Sequence, residues 1–283
     1  MCLATFGPED FAQRLIAERV LVLSLPENVA KSVQAIFDPA YSFFRQPVSA
    51  KRKCTFSQDM GYRQLGDEYS KSPAQVDQVE SFSISARVPL PLSQLNSAGA
   101  ELLYQRMLVV FDFLEAIAET LVVRLADHFS NRSNRTFLRG ALRHWSRLQV
   151  NYSLPSDVPL AFINEEHEDL DLLTITMAPT PGLEVEGRKN TFIPTTTKAD
   201  QVLIMPGEIA YLLSGGQLQP LYHRVRTCAQ IPERLSLLFF GDLDPRHCKP
   251  WVVNDINVGV DIGKRVMTNV HRFGLTGFDS DLG

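Results

Sequence analysis

The chain reads as a mainly β protein with α elaboration: an antiparallel double-sheet fold such as a jelly roll, with an N-terminal α/β segment and a long bracing helix. Three observations predict it. After Gly140, short apolar runs alternate with turn signals, the mark of many short strands. Residues 97–128 carry apolar side chains at three-and-four spacing over a length only a long helix would use. Ahead of that stripe, short helical and strand-like runs are mixed. The expected organisation is an N-terminal α/β region at 1–96, the bracing helix and linker at 97–140, a core at 141–245 and a C-terminal segment at 246–283.

In order, residues 8–19 begin as a helix with Phe11, Leu15 and Ile16 at helical spacing, and Val20–Leu23 reads as a short buried strand. A second helix is expected over Glu27–Phe44, with Val29, Val33, Ile36, Phe37 and Phe43 on one side, until Pro47 ends it. Gly61-Tyr62 and Glu80–Ile84 are expected as short strands or turns. The long helix should bury Leu102, Leu103, Leu108, Val109, Phe113, Leu114, Ile117, Leu121, Val122 and Leu125. Glu101, Arg106, Asp112, Glu115 and Glu119 interrupt it too often for a membrane span. Strands are then expected at Leu148–Tyr152, Leu172–Met177, Gly182–Val185, Thr191–Ile193, Val202–Met205, Ile209–Leu213 and Leu235–Phe240. Pro155, Pro159, Pro179-Thr180-Pro181-Gly182, Pro206-Gly207 and Gly215-Gly216 punctuate them. Asp261 to Phe273 would form one more helix.

Composition narrows the function. The 283 residues are 45% hydrophobic and 21% charged, an ordinary globular balance. A net charge of -4 and a pI near 5.9 argue against a general nucleic-acid binder, since Lys51-Arg52-Lys53 is too short a basic run. Cys2, Cys54, Cys228 and Cys248 show no CxxC pair, and Glu9, Asp10 and Glu18 stand where a signal peptide would be basic, then apolar. The expectation is a cytoplasmic protein without a membrane or nucleic-acid partner, a monomer or weak homodimer.

The chemistry concentrates in His167-Glu168-Asp169-Leu170-Asp171-Leu172-Leu173-Thr174 and in His223-Arg224-Val225 with Arg234-Leu235-Ser236 after it. On a strand, side chains at i and i+2 leave the same face, so His167 and Asp169 would aim an imidazole and a carboxylate at one point. His223 from a distant strand would complete a two-histidine, one-carboxylate set with open positions, the arrangement of non-haem Fe(II) sites. Asp171 and Glu165 share the predicted face with Asp169. Arg234 and Ser236, also two apart, can face one carboxylate. Taken singly, each feature has a plainer account. An isolated HxD occurs on any exposed strand, and Arg234 could pair with a surface acid. His128, His144, His247 and His271 read as structural, Tyr62 and Tyr152 as core or rim aromatics, and Glu166 and Glu168 as solvated. Arg224 and Arg226 are expected to flank the ligand strand.

The order of these residues resembles the isopenicillin N synthase-like family of Fe(II)- and 2-oxoglutarate-dependent dioxygenases. It is carried by Asn151-Tyr152, the His167–Thr174 stretch, Gly182–Val185, Pro206-Gly207-Glu208, Ser214-Gly215-Gly216, His223-Arg224-Val225, Arg234-Leu235-Ser236 and Phe239-Phe240. Phe43-Phe44, Lys51, Gly61-Tyr62 and Asp77…Glu80-Ser81-Phe82 extend it more weakly. The resemblance implies a double-stranded β-helix core and makes His167, Asp169 and His223 the catalytic iron ligands. Arg234 and Ser236 would bind the far carboxylate of 2-oxoglutarate, with a contribution from Asn151; Ser153 stands where many relatives have a second tyrosine. The implied reaction consumes 2-oxoglutarate and O2, releases succinate and CO2, and hydroxylates, desaturates or cyclises at an aliphatic C–H, as in secondary metabolism. The Asp169 carboxylate disfavours halogenation. Alternatives are an isopenicillin N synthase-type oxidase or cyclase without 2-oxoglutarate, a non-catalytic jelly-roll binder, and a zinc hydrolase.

Overall fold

The computed structural model describes residues 8–57, 59–71, 73–95, 97, 99–129, 142, 145–154, 161–187, 191–228, 230–244 and 249–268. The elements run α1 (Pro8–Glu18), β1 (Leu21–Ser24), α2 (Glu27–Gln34), α3 (Phe37–Phe44), α4 (Val48–Lys51), β2 (Gly61–Arg63), β3 (Glu80–Ile84) and α5 (Ala100–Phe129). There follow β4 (Arg147–Ser153), β5 (Phe162–His167), β6 (Leu173–Met177), β7 (Leu183–Glu186), β8 (Phe192–Pro194), β9 (Gln201–Pro206), α6 (Glu208–Leu213), β10 (His223–Arg226), β11 (Arg234–Gly241) and α7 (Ile262–Thr268).

The strands form two antiparallel sheets, one of seven strands in the order β1-β9-β6-β11-β4-β3-β2 and one of four in the order β5-β10-β7-β8. The N-terminal strands complete the larger sheet, β1 pairing with β9 and the β2–β3 hairpin with β4. Along β4, β6 and β11 the residues alternate. Leu148, Val150, Tyr152, Leu173, Ile175, Met177, Leu235, Leu237 and Phe239 are buried in the main core with α5, where Phe111 meets Phe239 edge-on at 5.4 Å. The other face carries Gln149, Ser153, Thr174, Thr176, Arg234 and Ser236, which are also buried. A two-faced buried sheet ordinarily reads as nearly continuous apolar sequence. Here the face turned toward the small sheet keeps its polar residues, and it is the floor of a cavity.

Four expectations are corrected. The helix over Glu27–Phe44 is two helices, because Pro39 has no N–H to bond back to Ala35; it is tolerated in the first turn of α3. The buried stripe of α5 keeps Leu103, Leu114, Ile117, Leu121, Val122 and Leu125 of the expected residues and adds Met107, Val110 and Phe111, while Leu102, Leu108 and Val109 are exposed. Ile209–Leu213 is helix, not strand, since its first amides bond to the Asp169–Asp171 loop. The strand expected to carry Glu165, His167, Asp169 and Asp171 is Phe162–His167, and it ends at His167. Of the expected tail helix, α7 covers 262–268; 269–273 lie outside the described residues, as do His144, His247 and His271. No helix among the described residues is long and apolar enough to cross a membrane.

Candidate active site

His167 is the last residue of β5 and His223 the first of β10, and the two are direct cross-strand partners. The register slips between His223 and Val225, a bulge of the kind that re-aims side chains beside sites. The rings stand 4.3 Å apart at 54°. Each donates its Nδ1–H to the carbonyl two residues back: His167 to Glu165 at 2.6 Å, His223 to Leu221 at 3.1 Å. Those bonds fix the tautomer with the proton on Nδ1, the form in which an imidazole Nε2 binds a metal.

Asp169 is not on the strand, as period-two spacing predicts, but in the loop that follows. It nevertheless reaches the same point. Its Oδ1 lies 3.8 Å from each Nε2, and ligand atoms of His167, Asp169 and His223 all fall within 4.8 Å of one another. Its other oxygen, Oδ2, accepts from the Thr174 hydroxyl at 2.5 Å. The loop is clasped from behind: Glu208 N–H donates to Asp169 O, Ile209 N–H to Leu170 O and Gly207 N–H to Leu172 O. A Cβ on Gly207 would stand 2.2 Å from the Asp171 carbonyl and 2.9 Å from that of Asp169, so glycine is what permits this approach.

Asp171 and Glu165 are not in the cluster. The Asp171 carboxyl is buried against Thr174 and Asp169; burial, then the Asp169 charge, pushes its pKa well above the usual range. Burial also raises Asp242, which accepts from Leu172 N–H, to about 7. Glu168, expected to be solvated, lines the cavity instead. Arg224 and Arg226 face outward, paired with Glu184 and stacked on Phe162. Tyr62 and Tyr152 are core residues, Tyr152 stacked on Phe44 with its hydroxyl on Glu233. His128 packs against Phe129.

The triad opens into a cavity of about 240 Å3 that Arg234, Ser236 and Asn151 also line. Arg234 and Ser236 lie side by side on β11, Nη1 donating to the Ser236 hydroxyl at 3.2 Å. The Arg234 Nε is buried with no hydrogen-bond partner, and burial pulls its guanidinium down to about 10. It is therefore not the surface pair of a neighbouring acid; Glu233 is taken by Arg45 and Tyr152. A buried, uncompensated cation costs several kcal/mol, roughly, and is stable only where an anion can meet it. Asn151, directly opposite Ser236, has its Oδ1 held by Gln149 at 2.6 Å. Residues the motif reading passes over also line the cavity, among them Arg147, Gln149 and Arg63, as does Asp77 from the weaker part of the resemblance. The polar beats in Arg147–Ser153 and Leu173–Met177 are the available signal.

Two nitrogens and one carboxylate oxygen on one side of a cavity fit Fe(II) in chemistry. Residues 144–242 match the model of the 2OG-Fe(II) oxygenase superfamily. No curated protein matches the chain. Among solved structures, a full-length Neurospora crassa protein in complex with alpha-KG is similar at 16% identity, covering 92% of this chain and 90% of that one, with a TM-score of 0.72. A protein of Caulobacter crescentus assigned to the 2OG-Fe(II) oxygenase family is similar at 18% identity, covering 96% of each, with a TM-score of 0.73. The 2-oxoglutarate complex of the Arabidopsis thaliana dioxygenase for auxin oxidation 1 gives 19% identity, 84% and 91% coverage, and a TM-score of 0.63. At these identities the structural likeness is one of fold, the jelly-roll core. With the family match over the strands that hold the site, the chain carries a 2OG-Fe(II) oxygenase domain, a dioxygenase using Fe(II), 2-oxoglutarate and O2.

Proposed function

We propose that this oxygenase hydroxylates an aliphatic C–H of a small molecule, with His167 Nε2, Asp169 Oδ1 and His223 Nε2 as its iron ligands. Arg234 and Ser236 hold the far carboxylate of 2-oxoglutarate, and the Asn151 amide, its oxygen already engaged, offers a donor beside them. The observation that carries this reading is the pairing of the triad with a buried Arg234 whose Nε lacks a partner in the same cavity. A planar fork with an adjacent hydroxyl suits a carboxylate better than any neutral group.

Iron bound there supplies activation of O2 coupled to oxidation of 2-oxoglutarate to succinate and CO2, the second oxygen atom passing to the substrate C–H. The protein's own part is orientation and exclusion of water. Thr174 holds Asp169 so that one oxygen faces the metal position, and the two backbone carbonyls keep each histidine in the ligand tautomer. Leu170, Leu183, Met205, Val225 and Leu238 form the apolar part of the wall.

Succinate release tests it. Protein supplied with Fe(II), 2-oxoglutarate and O2 should produce succinate, and a chelator should stop it. His167→Ala and His223→Ala should each lower the rate on the order of a hundredfold or more, given that even outer partners of ligands cost about 10- to 100-fold. Iron-loaded, folded protein that makes no succinate would sink the proposal.

A further inference from the structure

Arg234 is not the only cavity cation with an unmet donor. Among the described residues, four buried side-chain polar atoms lack a hydrogen-bond partner; two are guanidinium nitrogens, Arg234 Nε and Arg147 Nε, and both arginines line the cavity. Arg147 begins β4, opposite Phe240 of β11, and its guanidinium lies over the Phe240 ring at 4.6 Å. Stacking occupies the flat face and leaves the N–H edge free to fork onto an anion. Phe240 in turn pairs with Thr174 of β6, the residue that holds Asp169. Arg147 is thus two strands, about 10 Å, from the triad's support, at the triad's end of the floor. Arg234 lies six residues along β11 from Phe240, about 20 Å away at the other end.

The other cavity arginine is already spent. Arg63 pairs with Glu68 at 3.0 Å and Asp59 at 3.7 Å, and bonds to Ser81, Ser83 and Gln149. Among the described residues Arg147 finds no ion pair or side-chain hydrogen bond, and burial beside the Arg63 charge disfavours its charged form. It is a cation held ready at the one end of the cavity that 2-oxoglutarate, if anchored on Arg234, would not fill.

We propose that Arg147 anchors the prime substrate, and that this substrate is a small carboxylic acid whose carboxylate forks onto the Arg147 guanidinium while a carbon some bonds away faces the triad. A monoanion is favoured over a phosphate dianion because Asp59 and Glu68 lie close enough to act on the Arg147 charge. The inference rests on the reading of Arg234 as the 2-oxoglutarate anchor and names what occupies the rest of the same cavity.

The test is a binding screen on anaerobic, Fe(II)- and 2-oxoglutarate-loaded protein, read by thermal shift. The probes are aliphatic and aryl monocarboxylic acids, each paired with its primary amide and methyl ester. Some acids should stabilise the wild type while their amides and esters do not. Arg147→Gln should weaken those acids roughly 10- to 100-fold, the scale of a charged hydrogen bond. Arg147→Lys, which keeps charge without the fork, should fall between. The 2-oxoglutarate titration of Arg147→Gln should match wild type. Equal binding of acids and amides, binding of acids undiminished in Arg147→Gln, or no binding by any acid would overturn the inference while leaving the 2-oxoglutarate reading intact. A wild type that fails to bind 2-oxoglutarate would overturn both.

Discussion

Asp169 is held by one of its oxygens so that the other can point. The Thr174 hydroxyl that binds Oδ2 is itself a beat of the polar face of β6, buried where a core strand would place an apolar residue. Removing it should free the carboxylate to rotate. Thr174→Val is expected to weaken Fe(II) binding about 10-fold or more, as loss of a ligand's outer partner does, with Thr174→Ser restoring most of it. Isothermal titration with Fe(II) under anaerobic conditions would check this; equal affinity in wild type and Thr174→Val would contradict the role. Asp77 is the second residue-scale case. Burial raises its carboxyl to about 6 from an ordinary value of 3.8, against the hydrogen bond from Ser70. Because the folded value is the higher one, the folded protein binds the proton more tightly, and stability is lost as pH rises through that window. Asp77→Asn should therefore raise stability at pH 7.5 by on the order of 2 kcal/mol and have no such effect at pH 4, where wild-type Asp77 is close to fully protonated in the fold. Urea unfolding at the two pH values measures the difference; an equal effect at both would show that the Asp77 charge is not what costs stability.

Two elements explain why the triad is legible in the sequence and its setting is not. The spacing of His167 and Asp169 reads as one strand, yet β5 ends at His167 and a loop carries Asp169. The same two residues converge either way, so period two identifies the pair without revealing its backbone. The run Ile209–Leu213 is five apolar or aromatic residues long, a length at which strand and helix cannot be separated by pattern. Its helical form is decided by tertiary bonds, the α6 amides meeting the carbonyls of the Asp169 loop. The break before α3, by contrast, is marked in the sequence by Pro39. Gly207 joins these elements. Gly207→Ala should push the Asp169 loop away from α6, lowering thermal stability and weakening Fe(II) binding together, whereas a loop independent of the clasp would lose neither. Differential scanning calorimetry and Fe(II) titration of that variant distinguish the outcomes.

At the scale of the whole molecule, the large sheet is sandwiched, α5 on one face and the four-stranded sheet on the other, and the polar beats of its strands become a buried floor. The double-sheet class and the long helix follow from turn spacing and the apolar stripe. The buried face of α5 follows only in part: Leu103, Leu114, Ile117, Leu121, Val122 and Leu125 are buried as expected, but Leu102, Leu108 and Val109 widen the stripe with residues that end up exposed. Arg147 does not follow, since a charged residue opening a strand ordinarily reads as solvated; only the pairing of β4 with β11 sets it over Phe240 inside the cavity. Motif order reaches residues that share a chemical task. It does not reach those whose task arises from packing.

The central claim is that one cavity holds iron on His167, Asp169 and His223 and 2-oxoglutarate on Arg234 and Ser236. Anaerobic ultraviolet–visible titration of the Fe(II)-loaded protein with 2-oxoglutarate tests it most directly. The expected result is a weak metal-to-ligand charge-transfer band in wild type, absent in His223→Ala, and reached in Arg234→Ala only at roughly 10- to 100-fold higher 2-oxoglutarate, the loss expected for a charged hydrogen bond. Iron bound to wild type with no such band, or a band unchanged in both variants, would contradict it.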